Sequence, residues 1–138
     1  MEVTKKYLDE LSYNVIGAAI EVHKELGPGL LESVYHSCMC HELHLRKINF
    51  ISEMKIPIQF KGLKMNVDLR CDFFIENIFV AEIKAAKAIE PIHEAQLISH
   101  MKLLKVAKGI LINFNCVNIF KEGQKTYVNE RYRSLNYI

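Results

Sequence analysis

Ile78-Phe79-Val80-Ala81-Glu82-Ile83-Lys84-Ala85-Ala86 is an apolar run broken by two opposite charges. Its continuity fits a strand buried on both faces. Side chains alternate along a strand, so Ile78, Val80, Glu82 and Lys84 share one face. A carboxylate and an ammonium in such a place cost several kcal/mol unless they are paired or hold a metal ion. Charges in a core strand therefore point to a function. Ten residues upstream, Asp72 lies in a second strand-like run, residues 67–75. The two runs read as a hairpin, and its register decides whether the acids meet. Asp72 faces Glu82 only if the loop is the three-residue Glu76-Asn77-Ile78 or contains a bulge. A two-residue Glu76-Asn77 turn would pair Asp72 with Ala81 and turn Glu82 to the other face.

Outward from this hairpin, the chain alternates helical and strand periodicity. Leu8, Leu11, Val15, Ala18 and Val22 recur at spacings of three and four, which predicts a helix over residues 4–26. Gly27-Pro28-Gly29 ends it, since Pro28 cannot continue a helix and Gly27 suits the position after a helix end. A second helix is expected over residues 30–46, with Leu30, Val34, Cys38 and Leu45 on its inner stripe. Strands are expected at residues 50–60, 65–75 and 78–85, with turns at Lys61-Gly62 and Glu76-Asn77. A third helix opens after Glu90-Pro91 and runs to Lys105, followed by a strand over residues 108–114. Residues 117–120 and 125–128 read as a turn and a last strand. The order ααβββαβ describes an α/β fold with a mixed β-sheet flanked by helices.

The 138 residues suit a single domain spanning 1–138, half of them hydrophobic and a quarter charged. There is no apolar run of 18 residues, and the N-terminus lacks a signal-like apolar segment, so no membrane partner is expected. Cys38, Cys40, Cys71 and Cys116 form no CxxC pair, which suits free thiols in a reducing compartment and a cytoplasmic location. The net charge of +2 is too small to announce a nucleic-acid binder, but its distribution is uneven. Residues 1–98 carry 11 Lys/Arg against 14 Asp/Glu, and residues 99–138 carry 7 against 2. A basic C-terminal third can follow a phosphate backbone, or simply keep the surface solvated.

Gly29-Leu30-Leu31-Glu32-Ser33-Val34-Tyr35, led by His23-Lys24-Glu25-Leu26-Gly27-Pro28, fits a GxxExxY signature. Matching stretches continue in order through Arg70-Cys71-Asp72, Glu82-Ile83-Lys84, His93-Glu94-Ala95-Gln96-Leu97 and Gly109-Ile110-Leu111-Ile112-Asn113-Phe114. Over residues 5–130 the chain resembles the GxxExxY protein family, which is grouped with the PD-(D/E)XK nuclease-like superfamily. The resemblance implies a restriction-endonuclease-like core and a metal site. Carried over by position, it implies Asp72 as the first motif carboxylate, Glu82 as the second and Lys84 as the motif lysine. Glu32 would be the acid on the helix before the sheet, and Gln96 the glutamine on the helix after it. Cys71 stands where a smaller residue is common, and His100 where an aromatic residue is common.

Phosphodiester hydrolysis needs an activated water and stabilisation of a phosphate gaining negative charge, and a carboxylate-held divalent cation serves both. Mg2+ keeps several waters, so a few oxygen ligands from different elements suffice. Asp72, Glu82 and the Ile83 carbonyl can supply them, with Glu32 completing the set or holding a second ion. Lys84 can position the water or offset charge, and Gln96 can orient a water or a phosphate oxygen. Each has a plainer alternative. Asp72 and Lys84 can form a structural ion pair, and Glu32 can be only a favourable helix-start charge. Gln96 can be solvated, His23 can cap the first helix, and Tyr35 suits packing with a hydrogen bond to a neighbour. His36, Cys40 and His44 recur along one helix face, but i to i+8 spans about 12 Å, too far for one zinc ion.

The expected activity is that of a Mg2+-dependent (or Mn2+-dependent) nuclease hydrolysing phosphodiester bonds in DNA. Cutting both strands commonly needs two sites related by a two-fold axis, so a homodimer is expected. The alternative is a catalytically silent nucleic-acid- or protein-binding module on the same fold. The small net charge favours that alternative; a complete set of costly charges argues against it.

Overall fold

The computed structural model describes residues 2–138. Two helices come first, α1 (Lys5–Leu26) and α2 (Glu32–Leu45). Strands β1 (Phe50–Lys55), β2 (Ile58–Phe60), β3 (Leu63–Met65), β4 (Arg70–Ile75) and β5 (Phe79–Lys84) follow. Helix α3 (Pro91–Leu104) crosses to β6 (Lys108–Asn113). A π-turn at Ile119–Gly123, β7 (Gln124–Val128) and the short α4 (Glu130–Arg133) complete the chain. The mixed α/β architecture matches the expectation. Among the described residues, no helix is long and apolar enough to cross a membrane.

Five strands form one sheet in the order β1-β4-β5-β6-β7. Among the described residues only β5 and β6 are parallel, as their connection through α3 requires. Both are buried along nearly their whole length, which is why β5 reads as a continuous apolar run. On one face Val15, Ala18, Tyr35 and Met39 of α1 and α2 pack against Phe73, Phe79, Ala81 and Ile83. On the other, Leu97 and Met101 of α3 pack against Cys71, Val80 and Leu111. The sheet thus separates two apolar layers.

Thr4 Oγ1 accepts from the Tyr7 N–H at 3.1 Å and starts α1, whose Leu8, Leu11, Val15, Ala18 and Val22 are all buried as their spacing predicts. Gly27 ends the helix at φ 72°. In α2 the predicted stripe is wrong by about one residue except at Cys38, which is partly buried against the core. Tyr35, Met39 and Leu43 are buried, whereas Leu30, Val34 and Leu45 are exposed. Tyr35 sets that phase. Its ring stacks on Phe114 at 4.5 Å, and its hydroxyl donates to the Gly27 carbonyl and accepts from the Leu30 N–H at 3.1 Å.

Two of the expected strands are each divided. Pro57 has no N–H to continue the β1 ladder, so β2 leaves the main sheet after Ile56. β2 and β3 pair only with each other, as a two-stranded arm. The Lys61-Gly62 turn takes positive φ at both residues, 47° and 87°, the geometry that two-residue hairpins favour.

Candidate metal centre

The hairpin register is the one that brings the two motif acids to the same level. Phe73 pairs with Ala81, Phe74 with Val80 and Ile75 with Phe79. Continued by one residue, this register sets Asp72 opposite Glu82. The odd loop makes it so. Glu76 and Asn77 adopt φ 52° and 61°, Ile78 N–H donates to the Ile75 carbonyl at 3.0 Å, and Ile78 is the extra residue.

At Asp72 the sheet opens. The β4–β5 ladder ends at Phe73↔Ala81, and the Ile83 N–H is instead taken by Asp72 Oδ2 at 2.7 Å. On its other side, the β1–β4 ladder passes from Ser52↔Phe73 to Met54↔Cys71 and omits the level of Asp72. The omitted β1 residue, Glu53, has φ 50°, the one positive φ within a strand among the described non-glycine residues. Such backbone persists where its surroundings impose it, and it clusters at functional sites.

The environment of Asp72 is negative. Burial pushes its carboxyl above the usual range, and the charges of Glu82 and Glu32 add to that shift. The Ile83 N–H and the nearby His36 oppose it. Burial first, and then the charges of Glu82 and Asp72, push the neighbouring Cys71 thiol up to about 12. Two acids from adjoining strands and a third from α2 therefore act on one small region. Glu32 is the first residue of α2; it is exposed, and no hydrogen bond holds its side chain among the described residues.

Glu82 is 5% exposed and turned towards α3, where it contacts His100 directly. The contact joins Glu82 Oε2 to His100 Nδ1. Capture of the second acid by a histidine was not anticipated, although His100 already stood out in sequence as a departure. Lys84 is half-buried at the end of β5 and makes no ion pair among the described residues. The plainer alternative, a structural ion pair between Lys84 and Asp72, is therefore not formed. Lys84 is positioned through its backbone: its carbonyl accepts from Phe114 N–H at 2.9 Å. Just beyond, buried Asn113 accepts from Ala86 N–H at 3.1 Å and donates to the Ala86 carbonyl at 3.0 Å. This clamp holds the exit of β5 against β6. Only the Asn after the last β6 aliphatic hinted at it.

Gln96 is exposed one turn before His100 and makes no hydrogen bond among the described residues. His23 departs from the expected cap: its Nε2 bonds the Cys116 carbonyl at 2.8 Å. His36 and His44 lie over Phe73 and Phe50, so that helix face covers the sheet instead of gripping zinc. Among the described residues, no three His, Cys, Asp or Glu side chains converge tightly enough to grip an ion by themselves. Two carboxylates with a neighbouring backbone carbonyl remain a suitable hard-oxygen set for Mg2+ or Mn2+, which fill the remaining positions with water. A cation would also offset the repulsion that raises Asp72.

A sequence model described as the PD-(D/E)XK nuclease superfamily matches residues 9–126, most of the chain. The match contains Glu32, Asp72, Glu82, Lys84 and Gln96. No curated protein and no solved structure gives a significant match.

Proposed function

The chain belongs to the PD-(D/E)XK nuclease superfamily, and from that premise we propose that it is a Mg2+- or Mn2+-dependent nuclease acting on DNA. The observation that carries the proposal is Asp72: a half-buried carboxylate in the gap where the strand ladders break, its charge disfavoured by desolvation and by Glu82 and Glu32. In this reading Asp72, Glu82 and the Ile83 carbonyl hold the ion, and Glu32 completes the set or serves a second ion. The ion, when bound, supplies an acidified water and charge stabilisation at the phosphate. Lys84, free of any ion pair among the described residues, directs its ammonium at the attacking water or the phosphate oxygens. Gln96, on the exposed side of α3, orients a water or a phosphate oxygen. His100 holds Glu82 in one rotamer, acting through it as a positioning residue. The GxxExxY signature at Gly29–Tyr35 supports placement in that family within the superfamily. We further propose one domain over residues 1–138, a homodimer for duplex cutting, and a cytoplasmic setting suited to free thiols.

Glu82's engagement with His100 favours a second reading, a silent module that binds nucleic acid or protein on the same fold. Incubation of single- and double-stranded DNA with Mg2+, Mn2+ or chelator separates the two. Cleavage that needs the ion and disappears in Asp72→Asn supports the nuclease. A wild type that binds DNA yet never cleaves it with either ion overturns it in favour of the module.

A further inference from the structure

We propose that the β2–β3 arm and the C-terminal end of α3 form a track for single-stranded nucleic acid leading to the Asp72 gap. This deepens the nuclease reading and rests on it for the identity of the ligand. One face of the arm is wholly apolar. Ile58 pairs with Met65 and Phe60 with Leu63, so these four side chains share a face. Phe60, Leu63 and Met65 are 61%, 62% and 45% exposed. A lone two-stranded hairpin is marginal in water, and leaving its apolar face bare weakens it further. That face therefore has a use outside the folded chain.

Beside it lies a cleft of about 780 Å3 between the arm and α3. Lys55, Lys64, Lys102 and Lys105 line it, and among the described residues no acid does. None of the four makes an ion pair among the described residues, and Asp68, near Lys55, is engaged by Arg70 at 2.7 Å. The dipole of α3 explains lysines at Lys102 and Lys105, but not those at Lys55 and Lys64. Lys61 adds its ammonium 5.4 Å from the Phe60 ring centroid.

Charge and apolarity together select the occupant. A polyanion with flat, exposed bases satisfies both, since phosphates meet lysines while bases stack on an aromatic ring. A second copy does not, because a two-fold contact would set the same lysines against one another. A duplex hides its bases and leaves Phe60 without a partner. The cleft also adjoins the candidate centre: Lys55 pairs with Arg70 across β1 and β4, and Asp72 is two residues along, about 7 Å of strand.

The test is fluorescence anisotropy of the full chain with a labelled oligodeoxythymidylate and with a duplex, in chelator so that nothing is cleaved. Wild type is expected to prefer the single strand. Phe60→Ala should weaken single-strand binding about fivefold to a hundredfold with its salt dependence unchanged, and duplex binding little. Leu63→Ala, expected to act in the same direction, replaces it if Phe60→Ala fails to fold. Lys64→Ala with Lys102→Ala should weaken binding to both ligands and lower the log–log salt slope for the single strand by about 0.7 per lysine. Affinities within twofold of wild type in both variants overturn the track. Equal losses on duplex and single strand in Phe60→Ala also overturn it, as does a fall from dimer to monomer in that variant by light scattering. Asp72→Asn separates the two readings, since it should bind like wild type and not cleave. Groove-dependent binding by a wild type that never cleaves upholds the track and sinks the nuclease. Cleavage with unchanged kcat/KM in the groove variants does the reverse.

Discussion

Asp72 is a carboxylate held where its charge is disfavoured, and this dictates how it should behave. Burial, Glu82 and Glu32 raise its folded-state pKa above the ordinary 3.8. A raised acid contributes stability below its unfolded pKa, and that contribution is lost as pH rises through the folded value. At neutral pH without metal, Asp72 therefore opposes folding. Asp72→Asn keeps an oxygen for the Ile83 N–H and should melt higher than wild type at neutral pH, with the gap closing in acid. Saturating Mg2+ should reverse the order. At about 100 times Kd, the ion would stabilise wild type by about 2.7 kcal/mol and leave the variant unmoved. Thermal melts with and without the ion check both statements; a variant that shifts as much as wild type would put the ion elsewhere. Lys84 gives the complementary case. Half-buried and without an ion pair among the described residues, its loss should change stability by about 1 kcal/mol or less. Its loss should cut turnover roughly a hundredfold or more if it serves the transition state. Unfolding and turnover measured on one Lys84→Ala preparation decide this. The two acids and the lysine were legible because costly charges in an apolar run mark themselves. His100 was legible only as an oddity, since its role depends on how α3 lies across the sheet.

Elements were read well where one periodic stripe dominates, and poorly where two phases compete. The apolar spacing of α1 has one solution, and the helix takes it. In α2, Val34 and Cys38 compete with Tyr35 and Met39, and the aromatic ring decides because it buries more surface and finds a partner in Phe114. Tyr35 also pins the loop between α1 and α2 through its hydroxyl, to the Gly27 carbonyl at 2.5 Å and the Leu30 N–H at 3.1 Å. Tyr35→Phe keeps the stack and removes both bonds. It should cost about 1–2 kcal/mol, seen as a lower urea midpoint at unchanged slope. A midpoint equal to wild type would mean that water replaces the hydroxyl. The hairpin register could be stated from sequence only as a condition, because Glu76-Asn77 suits two loops of different length. The structure takes the longer loop, which keeps Ile75 and Phe79 paired on the α1–α2 side.

At the scale of the molecule, the basic C-terminal third is less basic on the surface than its linear count suggests. Lys108 and Lys125 are spent on Asp9 and Glu94, acids from outside that third. The first of these contacts helps join the two ends of the chain. Buried Lys108 Nζ donates to Asp9 Oδ1 at 2.7 Å, and Tyr132 donates to the same carboxylate at 2.9 Å. The Lys5 and Lys6 amides donate to the carbonyls of Asn136 and Tyr137, each at 2.8 Å. Burial alone would raise the Asp9 carboxyl, but the hydrogen bonds from Lys108 and Tyr132 and the Lys108 charge outweigh it, and the pKa falls below 3.8. The sign is opposite to that of Asp72. A depressed acid contributes stability above its unfolded pKa, and the contribution is lost as pH falls through the folded value. Asp9 is 45% exposed on its side chain, so solvent screens part of the effect. The dominant loss in Asp9→Ala is instead the partner of a buried ammonium, about 2 kcal/mol at neutral pH. Urea midpoints should therefore differ at neutral pH and converge well below pH 3.8, where wild type has also lost the charge. Asp72→Asn should converge with wild type in acid from the other side, having begun as the more stable protein. If Asp9→Ala instead keeps its full deficit in acid, the contact acts through packing against Tyr132 and not through charge.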